Sequence, residues 1–334
     1  MLNKTLSTLG GSALAAMCLL ELLHRPATHR KLAEMDSELP FVYVELQEQR
    51  KVLGVGANGL VRRGTNLASN SPVAVKLVKR NSLRLEQEIS ILTRLTQCGG
   101  HAHIVPFYGL AELKDFPEQC ALVFEIFPEG ELYESITREG LYSELEAKVI
   151  VRQIASALSF LHEMGIVHAD IKPENILCKA LSSSSMPSSR QELNFAICDF
   201  GSARQLDASG TFSVTRGEPI GTVPYTAPEI LCANYATGVQ QVRATQAVDV
   251  FSLGVVLFVL LSGQLPFDDA RIPRRLEEIA KRILQGDYEF DLKNPAWRQV
   301  SSEVKHLISR MLEHDPDKRI TAKEILQHPW LVGE

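Results

Sequence analysis

The stretch VHADIKPEN at 167–175 crowds His168, Asp170, Lys172 and Asn175 into one short run. A carboxylate can take or orient a hydroxyl proton, an ammonium can steady developing phosphoryl charge, and a carboxamide oxygen can ligate a hard cation. Such a run is either a solvated surface loop or a loop presenting a base, a cation and a metal ligand to one phosphate. Other stretches supply matching parts. ICDFGSA at 197–203 places Asp199 behind two apolar residues, where a strand-end carboxylate can hold Mg²⁺ together with phosphate oxygens. GVGANGLV at 54–61 sets Gly54, Gly56 and Gly59 in a GxGxxGxV pattern, whose bare backbone can approach phosphate and offer N–H donors. Dinucleotide-binding turns use similar glycines but must lead into a helix, and here LVRRGTN and PVAVKL follow, both strand-like. Lys76 closes VAVK on the face it shares with Ala74, from which it could reach nucleotide phosphates. Away from solvent it would want an acidic partner. Glu88 on the next helix suits better than Glu86, because Leu92 lies four residues beyond Glu88 and polar Ser90 four beyond Glu86.

These residues need elements to hold them. FVYVEL, GLVRRGTN and PVAVKLVKR read as strands separated by turn residues. LRLEQEISILTRL puts Leu85, Ile89, Leu92 and Leu95 at helical spacing. HIVPFYGLAEL and CALVFEIF are two further strand candidates. After PEGEL the pattern turns helical, in SELEAKVIVRQIASALSFLHEMG, AVDVFSLGVVLFVLLSG, RRLEEIAKRILQG and SSEVKHLISRML. The expected fold class is α+β: an N-terminal extension at 1–40, a small β-rich lobe at about 41–126 and a larger, mainly helical lobe at about 127–334. ALSSSSMPSSRQ at 180–191 is expected to be a flexible insertion between two short strands.

With 45% hydrophobic and 22% charged residues, the 334-residue chain has ample material for a globular core. Its net charge of −5 argues against a general nucleic-acid binder, which wants a basic surface. Six scattered cysteines with no CxxC pair read as free thiols in a reducing compartment, so a cytoplasmic location is expected. TLSTLGGSALAAMCLLELL at 5–23 is the one run that resembles a targeting or anchor segment. Gly10, Gly11 and Glu21 interrupt it, and an extra helix, a loose extension and membrane association all stay open.

With YTAPE at 225–229 added, six motifs stand in order, and from about 44 to 331 the chain resembles a eukaryotic-type protein kinase domain. The resemblance implies the bilobal protein-kinase fold, with ATP and Mg²⁺ as cofactors and Ser/Thr-bearing proteins as partners. In it, Asp170 accepts or orients the substrate hydroxyl proton, Lys172 steadies the transferring phosphoryl group, and Asn175 joins Asp199 on Mg²⁺. Gly54, Val55, Gly56, Ala57, Asn58 and Gly59 match the phosphate-covering loop, and Lys76 with Glu88 the ion pair of the active state. Val61, Ala74 and Leu177 would sandwich the adenine. Phe124 matches the gatekeeper, and the Glu125 and Phe127 backbones would meet the adenine edge. Glu131 falls in the nucleotide-binding set and, with Glu174, where basophilic members meet an arginine N-terminal to the target residue. Leu92, Phe107, His168 and Phe200 match a stacked hydrophobic column, Asp249 a brace for the catalytic loop, and Glu229 with Arg319 a structural pair.

Lys172, two residues after Asp170, and Thr222 in GTVPY match serine/threonine rather than tyrosine kinases. The C-terminal half is similar to the calcium/calmodulin-dependent kinase group, although the sequence carries no DxDxDG calcium loop. With three residues after Leu331, no calmodulin-binding segment is expected. The complete set of metal and phosphate residues favours an active enzyme over a pseudokinase scaffold. Two departures matter. Ala169 in HAD replaces the arginine that reads an activation-segment phosphate, so phosphorylation there should be less decisive. Phe251 replaces a tryptophan after Asp249, a swap expected to be tolerated as packing.

Overall fold

A computed structural model describes residues 42–46, 52–56, 59–80, 83–111, 118–181, 190–268, 275–291 and 293–333. The apolar run at 5–23, Ala57 and Asn58 and most of the serine-rich insertion lie outside them. The chain divides into two compact units: one ends at Glu86 and takes in Phe107–Phe124, the other comprises Gln87–Pro106 and everything from Glu125 onward.

The first unit is built from β1 (Val44–Leu46), β2 (Val52–Gly56), β3 (Gly59–Asn66), β4 (Ser71–Lys79), β5 (Phe107–Ala111) and β6 (Gln119–Glu125). They form one sheet in the order β1-β3-β4-β6-β5, with β2 also paired to β3. Alternation in β4 decides which face is dry. Val73, Val75 and Leu77 are buried with Val42, Ala111, Ala121 and Val123, while Ala74 on the other face is half-buried. The register sets Val61 opposite Lys76 and Ala74 opposite Arg63.

Helix α1 (Leu83–Gln97) starts in the first unit, and its body belongs to the second. Its predicted apolar stripe of Leu85, Ile89, Leu92 and Leu95 is buried.

The second unit continues with β7 (Gly130–Glu131), α2 (Leu132–Glu139), α3 (Glu144–Glu163), β8 (Ile166–Val167), β9 (Ile176–Ala180), β10 (Leu193–Ile197), β11 (Arg204–Gln205) and β12 (Phe212–Thr215). Then come α4 (Pro228–Tyr235), β13 (Gln241–Ala244), α5 (Ala247–Ser262), α6 (Leu276–Gln285), α7 (Pro295–Gln299), α8 (Ser302–Met311), α9 (Ala322–Ile325) and α10 (Pro329–Val332). Ser143 starts α3 with a reciprocal capping box to Glu146, which satisfies two otherwise orphaned donors. Helix α5 is apolar around most of its circumference and is buried along nearly its whole length, against α3 and α8. The strands flanking the serine-rich insertion are β9 and β10, paired antiparallel from Leu193↔Ala180 to Ile197↔Ile176, with β7 on the far side of β9. Phe251 fills the expected packing position, stacked on Phe267 at 5.8 Å. Among the described residues no helix is long and apolar enough to cross a membrane.

Candidate active site

In the first unit, the glycine pattern forms the antiparallel hairpin of β2 and β3, with Gly54 opposite Val61, Val55 opposite Leu60 and Gly56 opposite Gly59. Gly59 has φ 144°, and a Cβ there would lie 2.4 Å from the Leu77 carbonyl oxygen, so no other residue fits. Lys76 is buried on β4, while Val61 and Ala74 are half-buried. Phe124 ends this unit half-buried, its ring 5.3 Å from that of Phe107.

In the second unit, Glu88 is buried on α1. The Glu125 N–H donates to the Pro106 carbonyl at 3.0 Å, and its carboxylate pairs with Lys179. Lys179 also lies over the ring of buried Phe127, at 5.8 Å. Leu177 is half-buried on β9, opposite Ala196 on one side and Glu131 on the other.

The loop after β8 is a closed hydrogen-bonded constellation. Lys172 Nζ donates to Asp170 Oδ2 and to Thr222 Oγ1, both at 2.8 Å, while the Thr222 hydroxyl donates to Asp170 Oδ1 at 2.9 Å. Asn175 Nδ2 donates to the Asp170 carbonyl at 2.8 Å and to its Oδ2 at 3.1 Å. Both hydrogens of that amide are thereby spent on Asp170, which leaves Oδ1 as the atom able to ligate a cation. Asp170 and Asn175 are buried, and three side-chain donors, from Lys172, Thr222 and Asn175, orient the carboxylate.

His168 bridges this loop to the Asp199 turn. The Asp170 N–H donates to His168 Nδ1 at 3.3 Å, so Nε2 carries the hydrogen donated to the Cys198 carbonyl at 2.9 Å. The His168 ring meets Phe200 edge-on at 5.1 Å. Cys198 N–H in turn donates to the Asn175 carbonyl at 3.0 Å, which couples the two candidate metal-binding residues through backbone. Asp199 sits at φ 59° and its Oδ1 accepts the Gly201 N–H at 3.2 Å. Aspartate tolerates this left-handed geometry better than most residues.

Ala169 is also left-handed, at φ 61°. What holds it there is Asp249, fully buried on α5: Oδ2 accepts the His168 N–H and His162 Nε2–H, each at 2.9 Å, and Oδ1 accepts the Ala169 N–H at 2.8 Å. Gly221, one residue before Thr222, has φ 71°, and a Cβ there would lie 3.0 Å from the Ala169 carbonyl oxygen. Arg319 Nη1 and Nη2 grip the two Glu229 oxygens at 2.7 and 3.0 Å, and the guanidinium also donates to the Glu313, Ala247 and His314 carbonyls.

A second group of carboxylates gathers near Lys172. Burial, then Glu134 and Glu174, push the Glu131 carboxyl above its ordinary range, with Lys172 opposing them. Glu129 Oε2 and Glu174 Oε2 are buried with no hydrogen-bond partner among the described residues.

Three contributors escape sequence reasoning on residue type alone: His162 on Asp249, and the pair Arg204–Glu218, joined at 2.8 Å between Nη2 and Oε1. One signal was available for the pair. Arg204 and Arg216 are the only basic residues between Asp199 and Glu229, so each invites a search for an anion.

Residues 47–331 match the protein kinase domain. The chain is 38% identical over 294 residues to the serine/threonine-protein kinase PKZ1 of Phytophthora infestans, covering 84% of this chain and 69% of that protein. It is 35% identical over 292 residues to calcium/calmodulin-dependent protein kinase type 1B of Rattus norvegicus, covering 86% and 75%. Ribosomal protein S6 kinase alpha-1 of Rattus norvegicus is 35% identical over 283 residues, and there the chain spans only 35% of the relative. A domain match across most of the chain, with relatives of this kind, makes it a member of the eukaryotic-type serine/threonine protein kinases.

Proposed function

We propose that the chain transfers the γ-phosphoryl group of Mg²⁺-ATP to serine or threonine hydroxyls of proteins that carry basic residues N-terminal to the acceptor. The observation that carries this is the buried Asp170 carboxylate, oriented on both oxygens by Lys172 and Thr222. So held, it can align an incoming hydroxyl and take its proton, while the Lys172 ammonium, held beside Asp170 and Thr222, steadies the migrating charge. Asn175 Oδ1 and the Asp199 carboxylate are hard oxygen donors linked through the Cys198 N–H, the kind of partial protein shell that Mg²⁺ completes with phosphate oxygens and water. When bound, Mg²⁺ neutralises charge on the phosphates. Gly54, Val55, Gly56 and Gly59, with Ala57 and Asn58, are assigned to covering those phosphates. Lys76 and Glu88 are assigned to nucleotide engagement, and Val61, Ala74, Leu177, Phe124, Glu125 and Phe127 to adenine.

Glu131 and Glu174 supply the specificity. The Glu131 carboxyl, held above its ordinary range by burial and by Glu134 and Glu174, lies with a Glu174 oxygen that is buried without a donor among the described residues, and the two suit a guanidinium. We place the enzyme in the cytoplasm, a reading supported by its free cysteines at 98, 120, 178, 198 and 232. The test is radiolabelled ATP with a mixed-peptide panel, run on wild type and Asp170→Asn. Transfer to Ser/Thr peptides should fall roughly 10²–10⁴-fold in the variant with nucleotide binding kept. Nucleotide binding without transfer in the wild type would instead establish a pseudokinase.

A further inference from the structure

The two basic residues between Asp199 and Glu229 meet different fates. Arg216 is exposed and reaches the Ala236 and Val239 carbonyls at 3.4 and 3.3 Å. Arg204 is buried, its Nη1 donating to the Ser202 and Ala203 carbonyls at 2.8 and 3.0 Å and its Nη2 to Glu218 Oε1 at 2.8 Å. Glu218 is itself locked: Oε2 accepts the Thr215 N–H at 3.1 Å, and its own N–H donates to the Thr215 carbonyl at 3.0 Å. Asn234 steadies the same corner, accepting the Gly217 N–H at 2.7 Å.

Position gives this pair its consequence. Arg204 follows Asp199 by five residues, and Glu218 precedes Thr222 by four. The ion pair therefore ties the chain just after one candidate metal ligand to the chain just before the hydroxyl that holds Asp170. A buried guanidinium requires a fixed anion, and Glu218 is a permanent one. Ala169 brings no competing charge. A further cation beside this segment, Arg243 on β13, is exposed and already engaged by Asp207, Ser209 at 2.8 Å and Thr211 at 2.7 Å. A phosphate on Thr211 would reach Arg243 only beside the Asp207 carboxylate, a like charge that offsets much of the gain.

We propose that Glu218, acting through Arg204, is the positioning residue that keeps Thr222 on Asp170 without any phosphorylation of the segment. The proposal rests on the phosphotransfer reading above and adds to it a built-in anion at the place where a phosphate would otherwise be needed. Glu218 touches no reacting atom.

The test compares phosphatase-treated wild type with Glu218→Gln, which keeps size but loses charge, and Glu218→Asp, which keeps charge at shorter reach. Two readouts are taken: hydrogen exchange of the amides at 205–221, and kcat and KM measured separately for peptide and for ATP. In Glu218→Gln these amides should exchange about tenfold faster or more while those of α3 stay unchanged. Peptide kcat/KM should fall roughly ten- to hundred-fold, with KM for ATP within about twofold of wild type. Glu218→Asp should lie between, and phosphatase should leave wild-type activity as it was. Wild-type exchange and kcat/KM in Glu218→Gln would overturn the proposal. So would loss of wild-type activity on phosphatase treatment, or loosening that spreads equally to α3. A segment that loosens in a chain transferring no phosphate would support the Glu218 tie while sinking the phosphotransfer reading.

Discussion

Replacing Asp249 by asparagine tests whether the catalytic loop is held from below by α5. The carboxylate is fully buried and accepts three hydrogen bonds, from the His168 and Ala169 N–H groups and from His162. Asparagine keeps one oxygen. If that oxygen takes the place of Oδ2, the new amide nitrogen faces the Ala169 N–H, donor against donor; if it takes the place of Oδ1, the nitrogen faces the His168 N–H and His162. Either way at least one buried N–H loses its acceptor, and the remaining bonds lose their charge. With charge-assisted bonds at about 1.5–3 kcal/mol each, the cost is roughly 3–5 kcal/mol. At about 2 °C per kcal/mol for a chain of this size, the thermal midpoint should drop roughly 6–10 °C. The loss should reach the chemistry too. The left-handed Ala169 backbone, which a non-glycine residue adopts at a cost of about 1–2 kcal/mol, has its restraint removed. Asp170 follows directly, and a displacement on the order of 1 Å is enough to lower kcat about 10²-fold. Calorimetry and steady-state kinetics on Asp249→Asn check both parts. A midpoint within about 2 °C of wild type, together with unchanged kcat, would show that the loop is held by something other than Asp249.

Other outcomes follow from the same geometry. Arg319→Lys should cost roughly 3–5 kcal/mol in chemical denaturation, because a lysine cannot reproduce a buried bidentate grip on Glu229 plus three carbonyl contacts; a loss below about 1 kcal/mol would refute it. Lys76→Met should raise KM for ATP while leaving KM for peptide near wild type, measured by initial rates in both substrates. Glu131 gives a pH dependence. Its carboxyl lies above the ordinary range, and an arginine beside it favours the charged form, so arginine-peptide binding strengthens as pH rises through that raised value and weakens as pH falls through it. KM for an arginine-bearing peptide should therefore climb on acidification more than KM for its neutral counterpart, and Glu131→Gln should abolish the difference; parallel curves would remove Glu131 from the substrate site.

How much of this was legible in the residues depends on how far apart the cooperating groups lie. Asp170, Lys172 and Asn175 are neighbours in sequence, and the β3–β4 alternation is local, so both could be read directly. The α1 stripe was read correctly as well, but which unit the helix body joins depends on packing that periodicity does not encode. Strands β12 and β13 are four residues each and separated by α4, too short and too distant for a pairing signal. Asp249 lies some eighty residues beyond His168, and its bracing role came only from the family resemblance. For the Arg204–Glu218 pair the residues flag a cation in search of an anion but not which anion it meets, because that is set by the path of the chain between them.

Ala169 shows why the family's arginine could be lost here without dismantling the site. Every contact that shapes the loop at this point is made by main chain: the Ala169 N–H to Asp249, the His168 N–H to the same carboxylate, and the Ala169 carbonyl pressed close to Gly221. None requires a side chain at residue 169, so a methyl group preserves the brace and the left-handed turn together. What an arginine would add is a charge facing the segment between Asp199 and Glu229. In this chain that segment carries its own cation and its own anion, Arg204 and Glu218, already in contact. Restoring the arginine by Ala169→Arg should consequently leave unphosphorylated activity no higher than wild type in the radiolabelled assay. A large gain would mean that the segment lacks a fixed anchor, and that Glu218 does not supply one.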